Sequence, residues 1–217
     1  MWKYTLALLL TWEVLTIECG DVFFAIDKKN YKKLARIASK CDINHYKIEI
    51  SMFDSKGALA SPLSYAAILG DRRAIEVLLK YSRYPVRPEC VPIDTGYGII
   101  VFDTMGIATL TGRERLVKTV LRTYGNTKPK CYQELEGNLY AFEPAIYVLL
   151  FWKGKLANRL KLSEYLIEEY NKKYGIPISR RYLNLMRNEL DNLFNDARPN
   201  EKAILQRIFV DLELLSL

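Results

Sequence analysis

Ser61-Pro62-Leu63-Ser64-Tyr65-Ala66-Ala67-Ile68-Leu69-Gly70-Asp71-Arg72-Arg73-Ala74-Ile75-Glu76-Val77-Leu78-Leu79-Lys80 is the stretch whose reading decides the fold. It reads as helix, tight turn, helix. Ser61 is placed to cap the first helix, and Pro62 falls in its first turn, where a missing N–H is harmless. Gly70 stands where the helix must end in a left-handed residue.

The same frame returns on both sides. Taking Ala66 as anchor, Ala108 lies 42 residues on, within Thr104-Met105-Gly106-Ile107-Ala108, and is followed by Gly112, Val117, Val120 and Leu121 at matching offsets. Ala25 lies 41 residues earlier, with Asp21, Val22, Phe23 and Ile26 around it and Leu34 and Ile37 following; Lys29 takes the place of the glycine. A weaker fourth copy runs from Glu143-Pro144-Ala145-Ile146 to Trp152, turns at Lys153-Gly154-Lys155 and starts its second helix at Leu156. One helix pair cannot bury its apolar stripe alone, so units of this kind are stabilised by stacking.

The Ser61–Lys80 segment resembles the ankyrin motif, T-P-L-H-x-A-A-x-x-G followed by a second helix with V-x-x-L-L. Cys41-Asp42-Ile43-Asn44 is similar to the G-A-D-V-N that ends many units of that family. Ser64 replaces the motif's histidine, which ties neighbouring repeats together by hydrogen bonds, so the resemblance is to a diverged array. It implies a mostly α, ankyrin-like solenoid of three to four helix-turn-helix repeats. The period exceeds the family's usual value of about 33 residues. The surplus falls in Asn44–Ala60, Tyr84–Phe102 and Gly125–Ala141, which correspond to the family's projecting fingers. Tyr46, Ile48, Ile50 and Met52 alternate with polar residues there as a strand would, so short β-hairpins are one form these fingers can take.

Domain organisation follows the frame. Residues 20–153 carry the repeats, and 154–217 hold the degenerate last repeat and a C-terminal helical cap. Within the cap, apolar residues recur at helical spacing through Leu162–Tyr170, Ser179–Phe194 and Asn200–Leu217. Residues 1–19 read as a secretory signal peptide, with Thr5–Trp12 its apolar core. Glu13 and Glu18 argue for the alternative, a first capping helix. The signal reading implies a secreted or periplasmic protein, the alternative a cytoplasmic one. Of four cysteines, Cys19, Cys41, Cys90 and Cys131, a cut after Cys19 or Gly20 would leave three and at least one free thiol; Cys41–Cys90 and Cys90–Cys131 are the pairings open to an exported chain.

Among the 217 residues half are apolar, and the net charge is +7. That composition excludes a disordered chain and favours acidic partners. His45 is the only histidine. HExxH zinc sites are thereby excluded, and a Cys41–His45 dyad lacks a third group. No Walker A, GxGxxG or GxSxG motif occurs, and Glu168-Glu169 lies among lysines as a solvated face would. The expectation is a non-enzymatic protein without cofactor or metal.

Two surfaces are candidates for binding a partner. Lys32, Arg73 and Arg115 each stand seven residues after an anchoring alanine, so stacking would align them as a basic column, thickened by Arg36, Arg72, Lys80, Arg113, Lys118 and Arg122. The fingers carry Tyr46, Phe53, Tyr84, Tyr97, Phe102, Tyr132 and Tyr140, and tyrosine is enriched in binding hot spots. The resemblance implies a scaffold that binds a protein through its concave face and fingers, and the charge points to a partner with an acidic surface. A binder of nucleic acid or another anionic surface through the column, and an enzyme with its site in the helical tail, are the alternatives.

Overall fold

Helix pairs follow one another along the chain because each carries its own start and stop signals. The computed structural model describes residues 18–52, 55–87, 89–94, 99–122 and 139–216. A 3-10 turn at Cys19–Asp21 leads into α1 (Val22–Asp27) and α2 (Tyr31–Lys40). Lys29 takes the left-handed conformation (φ 51°) that glycine takes in the later copies, and the Asn30 side chain caps α2 by accepting the Lys33 amide at 3.0 Å. In the second pair, α3 (Pro62–Ile68) and α4 (Arg72–Tyr81), Gly70 turns at φ 64° and Asp71 accepts the Ala74 amide at 3.0 Å. In the third, α5 (Thr104–Leu110) and α6 (Glu114–Leu121), Asp103 caps by accepting the Gly106 amide at 2.7 Å and Gly112 turns at φ 66°.

The fourth pair is α7 (Pro144–Phe151) and α8 (Leu156–Leu166), joined at Gly154. A π-helical stretch, Ile167–Lys172, prolongs α8, and α9 (Arg180–Leu185), α10 (Arg187–Asp196) and α11 (Pro199–Leu214) complete the tail. The helix expected over Ser179–Phe194 is thus two helices, divided at Met186, whose φ of −95° and ψ of 3° leave the helical region. Among the described residues no helix is long and apolar enough to cross a membrane.

The connections hold the strands. β1 (Ile48–Met52) and β2 (Ser55–Ala60) form an antiparallel hairpin, Ile50 opposite Ala58, with an irregularity after Ile50. Ile50 and Ala58 are buried while Glu49 and Leu59 are exposed, the alternation of a hairpin with one face on the core. β3 (Cys90–Asp94) and β4 (Ile99–Asp103) make a second hairpin, Val91 opposite Phe102. β5 (Leu139–Ala141) joins β4 in parallel, Val101 opposite Ala141, so one sheet takes strands from two connections.

Packing is from pair to pair. α1 lies against α3, α3 against α5 and α5 against α7, while α2 lies against α4 and α4 against α6. The anchors Ala25, Ala66 and Ala108 are fully buried, and their small side chains let the helices approach closely. Leu34, Ile37, Ile75, Leu78, Val117 and Val120 fill the space between the two rows, each stabilising by about 1.5–3 kcal/mol. One buried cluster runs from Val22 to Leu212, so the tail shares the core of the pairs.

One cysteine expectation is corrected. Cys41 bonds Cys19 (Cα–Cα 5.9 Å), not Cys90, and Cys90 is itself disulfide-bonded. With Cys19 in place, no free thiol is found among the described cysteines. An oxidised Cys41 also ends the Cys41–His45 dyad; His45 is exposed, with Nε2 3.3 Å from Asp42.

Candidate interaction surface

The three residues expected to align as a basic column, Lys32 on α2, Arg73 on α4 and Arg115 on α6, are each exposed. Arg73 is also structural. Its guanidinium lies 4.6 Å over the Tyr31 ring, and the Tyr31 hydroxyl donates to Asp71 at 3.1 Å, so α2 and α4 are joined here. Burial raises the Tyr31 pKa and the Asp71 carboxylate adds to it, with Arg73 acting the other way. Of the flanking cations, Arg113 donates to the Gly70 carbonyl at 2.8 Å, Arg72 pairs with Glu76 at 3.5 Å and Lys118 with Glu114 at 2.6 Å. Lys32, Arg36, Arg115 and Arg122 have no acidic partner among the described residues.

The aromatics of the connections divide. Tyr46 is half-buried against the core and Phe102 is fully buried, its ring stacked 4.6 Å from Phe142, so both serve packing. Tyr84 is exposed, with the Arg83 guanidinium 5.7 Å above its ring. Phe53, Tyr97 and Tyr132 lie outside the described residues, and of Tyr140 only the backbone in β5 is described.

A third surface escaped the sequence reading. The first helices of the pairs expose Phe24 on α1 and Phe151 on α7, Leu69 is exposed at the end of α3, and Tyr65, Leu110 and Tyr147 are half-buried on the same helices. Neighbouring helices meet here: the rings of Phe23 and Tyr65 are 5.6 Å apart, and Tyr65 donates to Asp27 at 2.8 Å. Burial and that carboxylate push the Tyr65 pKa up to about 12. Lys28 and Lys33 both stand 5.6 Å from the Phe24 ring centre, giving this apolar face a basic rim. The available signal was positional: Phe24 and Tyr65 each immediately precede an anchoring alanine.

Two buried carboxyls were also missed. Asp103 and Glu143 stand at the starts of α5 and α7. Asp103 accepts the Gly106 amide through Oδ1 and the Tyr170 hydroxyl through Oδ2. Glu143 accepts the Ser179 amide at 2.7 Å through Oε1, and its Oε2 has no hydrogen-bond partner among the described residues. Burial holds the Glu143 carboxyl well above the usual carboxylate range; the Ser179 amide opposes this and the Asp103 charge reinforces it. Glu143 and Tyr147 in turn add to the burial that raises Tyr182. Covered by protein, these acids fasten the π-helical stretch and the start of α9 onto the helix pairs.

Compared with protein-family models, curated proteins and solved structures, the chain matches none.

Proposed function

We propose that the chain is a non-enzymatic scaffold of stacked, ankyrin-like helix pairs that binds a partner protein through the exposed apolar face of its first helices and the adjoining hairpins. The observation that carries this reading is a link repeated from turn to turn. Tyr31 reaches Asp71, Arg113 reaches the Gly70 carbonyl and the Trp152 indole reaches the Thr109 carbonyl, at separations of 40, 43 and 43 residues. Ser64, in the place of the motif's histidine, shares a 3.1 Å hydrogen bond with Thr104, 40 residues on. A hydroxyl pair thus does what the family's histidine does. Such an array offers a rigid concave face, and exposed Phe24, Leu69 and Phe151 on that row are apolar surface of the kind that marks interaction sites.

An oxidising compartment fits the same molecule, since disulfides persist in secreted and periplasmic proteins. A leader compatible with the Cys19–Cys41 bridge ends before Cys19, not after it.

Affinity capture with substituted baits tests the binding reading. Phe24→Asp, Leu69→Asp and Phe151→Asp should each lose a partner that Lys32→Glu and Arg115→Glu retain. Equal capture by all five baits would refute the first-helix face as the binding surface.

A further inference from the structure

The segment Lys80-Tyr81-Ser82-Arg83-Tyr84-Pro85-Val86-Arg87, between α4 and β3, is held rigidly while presenting cations and tyrosines. The Ser82 amide donates to the Leu78 carbonyl at 3.1 Å and the Arg83 amide to the Ala38 carbonyl at 3.0 Å. The second bond sets the segment against the last turn of α2, which carries exposed Lys40. Beyond it, the Asn44 side chain clamps the backbone from both sides, donating to the Pro85 carbonyl at 3.1 Å and accepting the Arg87 amide at 3.0 Å. Asn44 is itself fixed by Asp42 at 2.8 Å, and Val86 is buried as a peg.

On this frame Tyr81 and Tyr84 are 44% and 40% exposed. Lys80 sits 5.2 Å over the Tyr81 ring and Arg83 sits over that of Tyr84, cation–π contacts that hold the cations in place. Lys40, Lys80, Arg83 and Arg87 form no ion pair with a described carboxylate. The nearby acids are committed elsewhere: Glu89 binds Lys47 and the Ser61 amide, and Asp42 binds the Asn44 amides and His45. The Asp42 pKa is lowered first by the Asn44 backbone, and Arg87 adds a smaller share.

We infer that this segment is a receptor for an acidic polypeptide stretch of the partner, its carboxylates taken by Arg83, Arg87 and Lys80 and its backbone or side chains by the Tyr81 and Tyr84 hydroxyls. The inference rests on the partner-binding reading above and names the partner's chemistry. Arginine forks match carboxylates two bonds at a time, and a segment already ordered loses little entropy on binding. A protein ligand is favoured over single-stranded nucleic acid because the cations over Tyr81 and Tyr84 leave each ring at most one face for base stacking.

The test is fluorescence anisotropy on the oxidised full chain with three probes: a short Glu/Asp-rich peptide, its Gln/Asn isostere, and an oligo-dT of matching charge. The acidic peptide should bind at least about tenfold more tightly than either of the others, and Arg83→Glu with Arg87→Glu should weaken it at least about tenfold, as reversal of charges that steer and hold a ligand does. Arg115→Glu, a single charge reversal on the basic column, should move it less than about twofold on the scale of a distant exposed charge. Far-UV circular dichroism and the melting temperature of each variant establish folding. Equal binding of the isostere, tighter binding of oligo-dT, or an equal loss in Arg115→Glu would overturn the inference. If the capture experiment identifies the first-helix face while the acidic peptide does not bind, this inference falls and the scaffold reading stands.

Discussion

The phenol of Tyr170 donates to the carboxylate of Asp103 inside the protein, across 67 residues of sequence, and so fastens the helical tail to the start of α5. Tyr170→Phe keeps the ring and removes one hydrogen bond to a charged group, a change expected to cost about 1.5–3 kcal/mol. Urea unfolding should show a lower midpoint at unchanged slope. Hydrogen exchange should quicken in α8 to α11 and leave α1 and α2 unaltered; a uniform increase would mean that the tail is not separately docked.

Glu143 gives the fold a pH dependence whose sign is fixed by its environment. Unfolded, a glutamate titrates near the usual value of about 4.3; folded, burial holds it well above that. Its contribution to stability is therefore fully present below the unfolded pKa and is lost as pH rises toward the folded one, because unfolding then releases a proton. Glu143→Gln retains an oxygen for the Ser179 amide and removes the titration. The variant should gain stability relative to the wild type between pH 4 and pH 8 on the scale of a shifted carboxyl, about 1.4 kcal/mol per pKa unit. A difference that stays constant across this range in urea titrations would contradict a neutral buried carboxyl.

Two glycines of the third pair separate packing from backbone strain. A Cβ on Gly106 would stand 2.8 Å from Cδ1 of Phe142, and that ring is confined by Phe102 at 4.6 Å and Tyr182 at 5.8 Å. Gly106→Ala should cost about 1–3 kcal/mol, as overpacking does. Gly112 has nothing within 4 Å but turns at φ 66°, so Gly112→Asn should be nearly neutral, asparagine accepting that region more readily than other residues. Thermal unfolding would refute this account if the order of the two losses were reversed.

What was legible in the sequence was local and periodic. Ala25, Ala66 and Ala108 with their turn residues gave the helix pairs, and even Lys29, in the place of a glycine, keeps the left-handed turn. The alternation at Ile48–Met52 gave the first hairpin. What was not legible depends on partners remote in sequence: β5 joining β4, Tyr170 meeting Asp103, Glu143 meeting Ser179. An acidic residue before a helix reads as an ordinary cap, and only the arrival of the tail buries it. For the candidate surface, Lys32, Arg73 and Arg115 are exposed, but their offsets could not show that Arg73 lies over Tyr31. Of the aromatics of the connections, Phe102 is buried and Tyr46 half-buried against the core, contacts that no local spacing announces.

The bridge between Cys19 and Cys41 ties the turn before α1 to the end of α2, across 22 residues. Among the described residues this pair lies against α3 and α4. Closing a loop of this length removes unfolded-state entropy worth about 3 kcal/mol. Replacing both residues, Cys19→Ala with Cys41→Ala, should lower stability by about that amount and, in hydrogen exchange, open α1 and α2 before the later pairs. A variant as stable as the wild type would show that the bridge adds nothing. N-terminal sequencing of exported protein supplies a separate check: a chain starting at Asp21 has lost Cys19, and with it both the bridge and the leader boundary inferred from it.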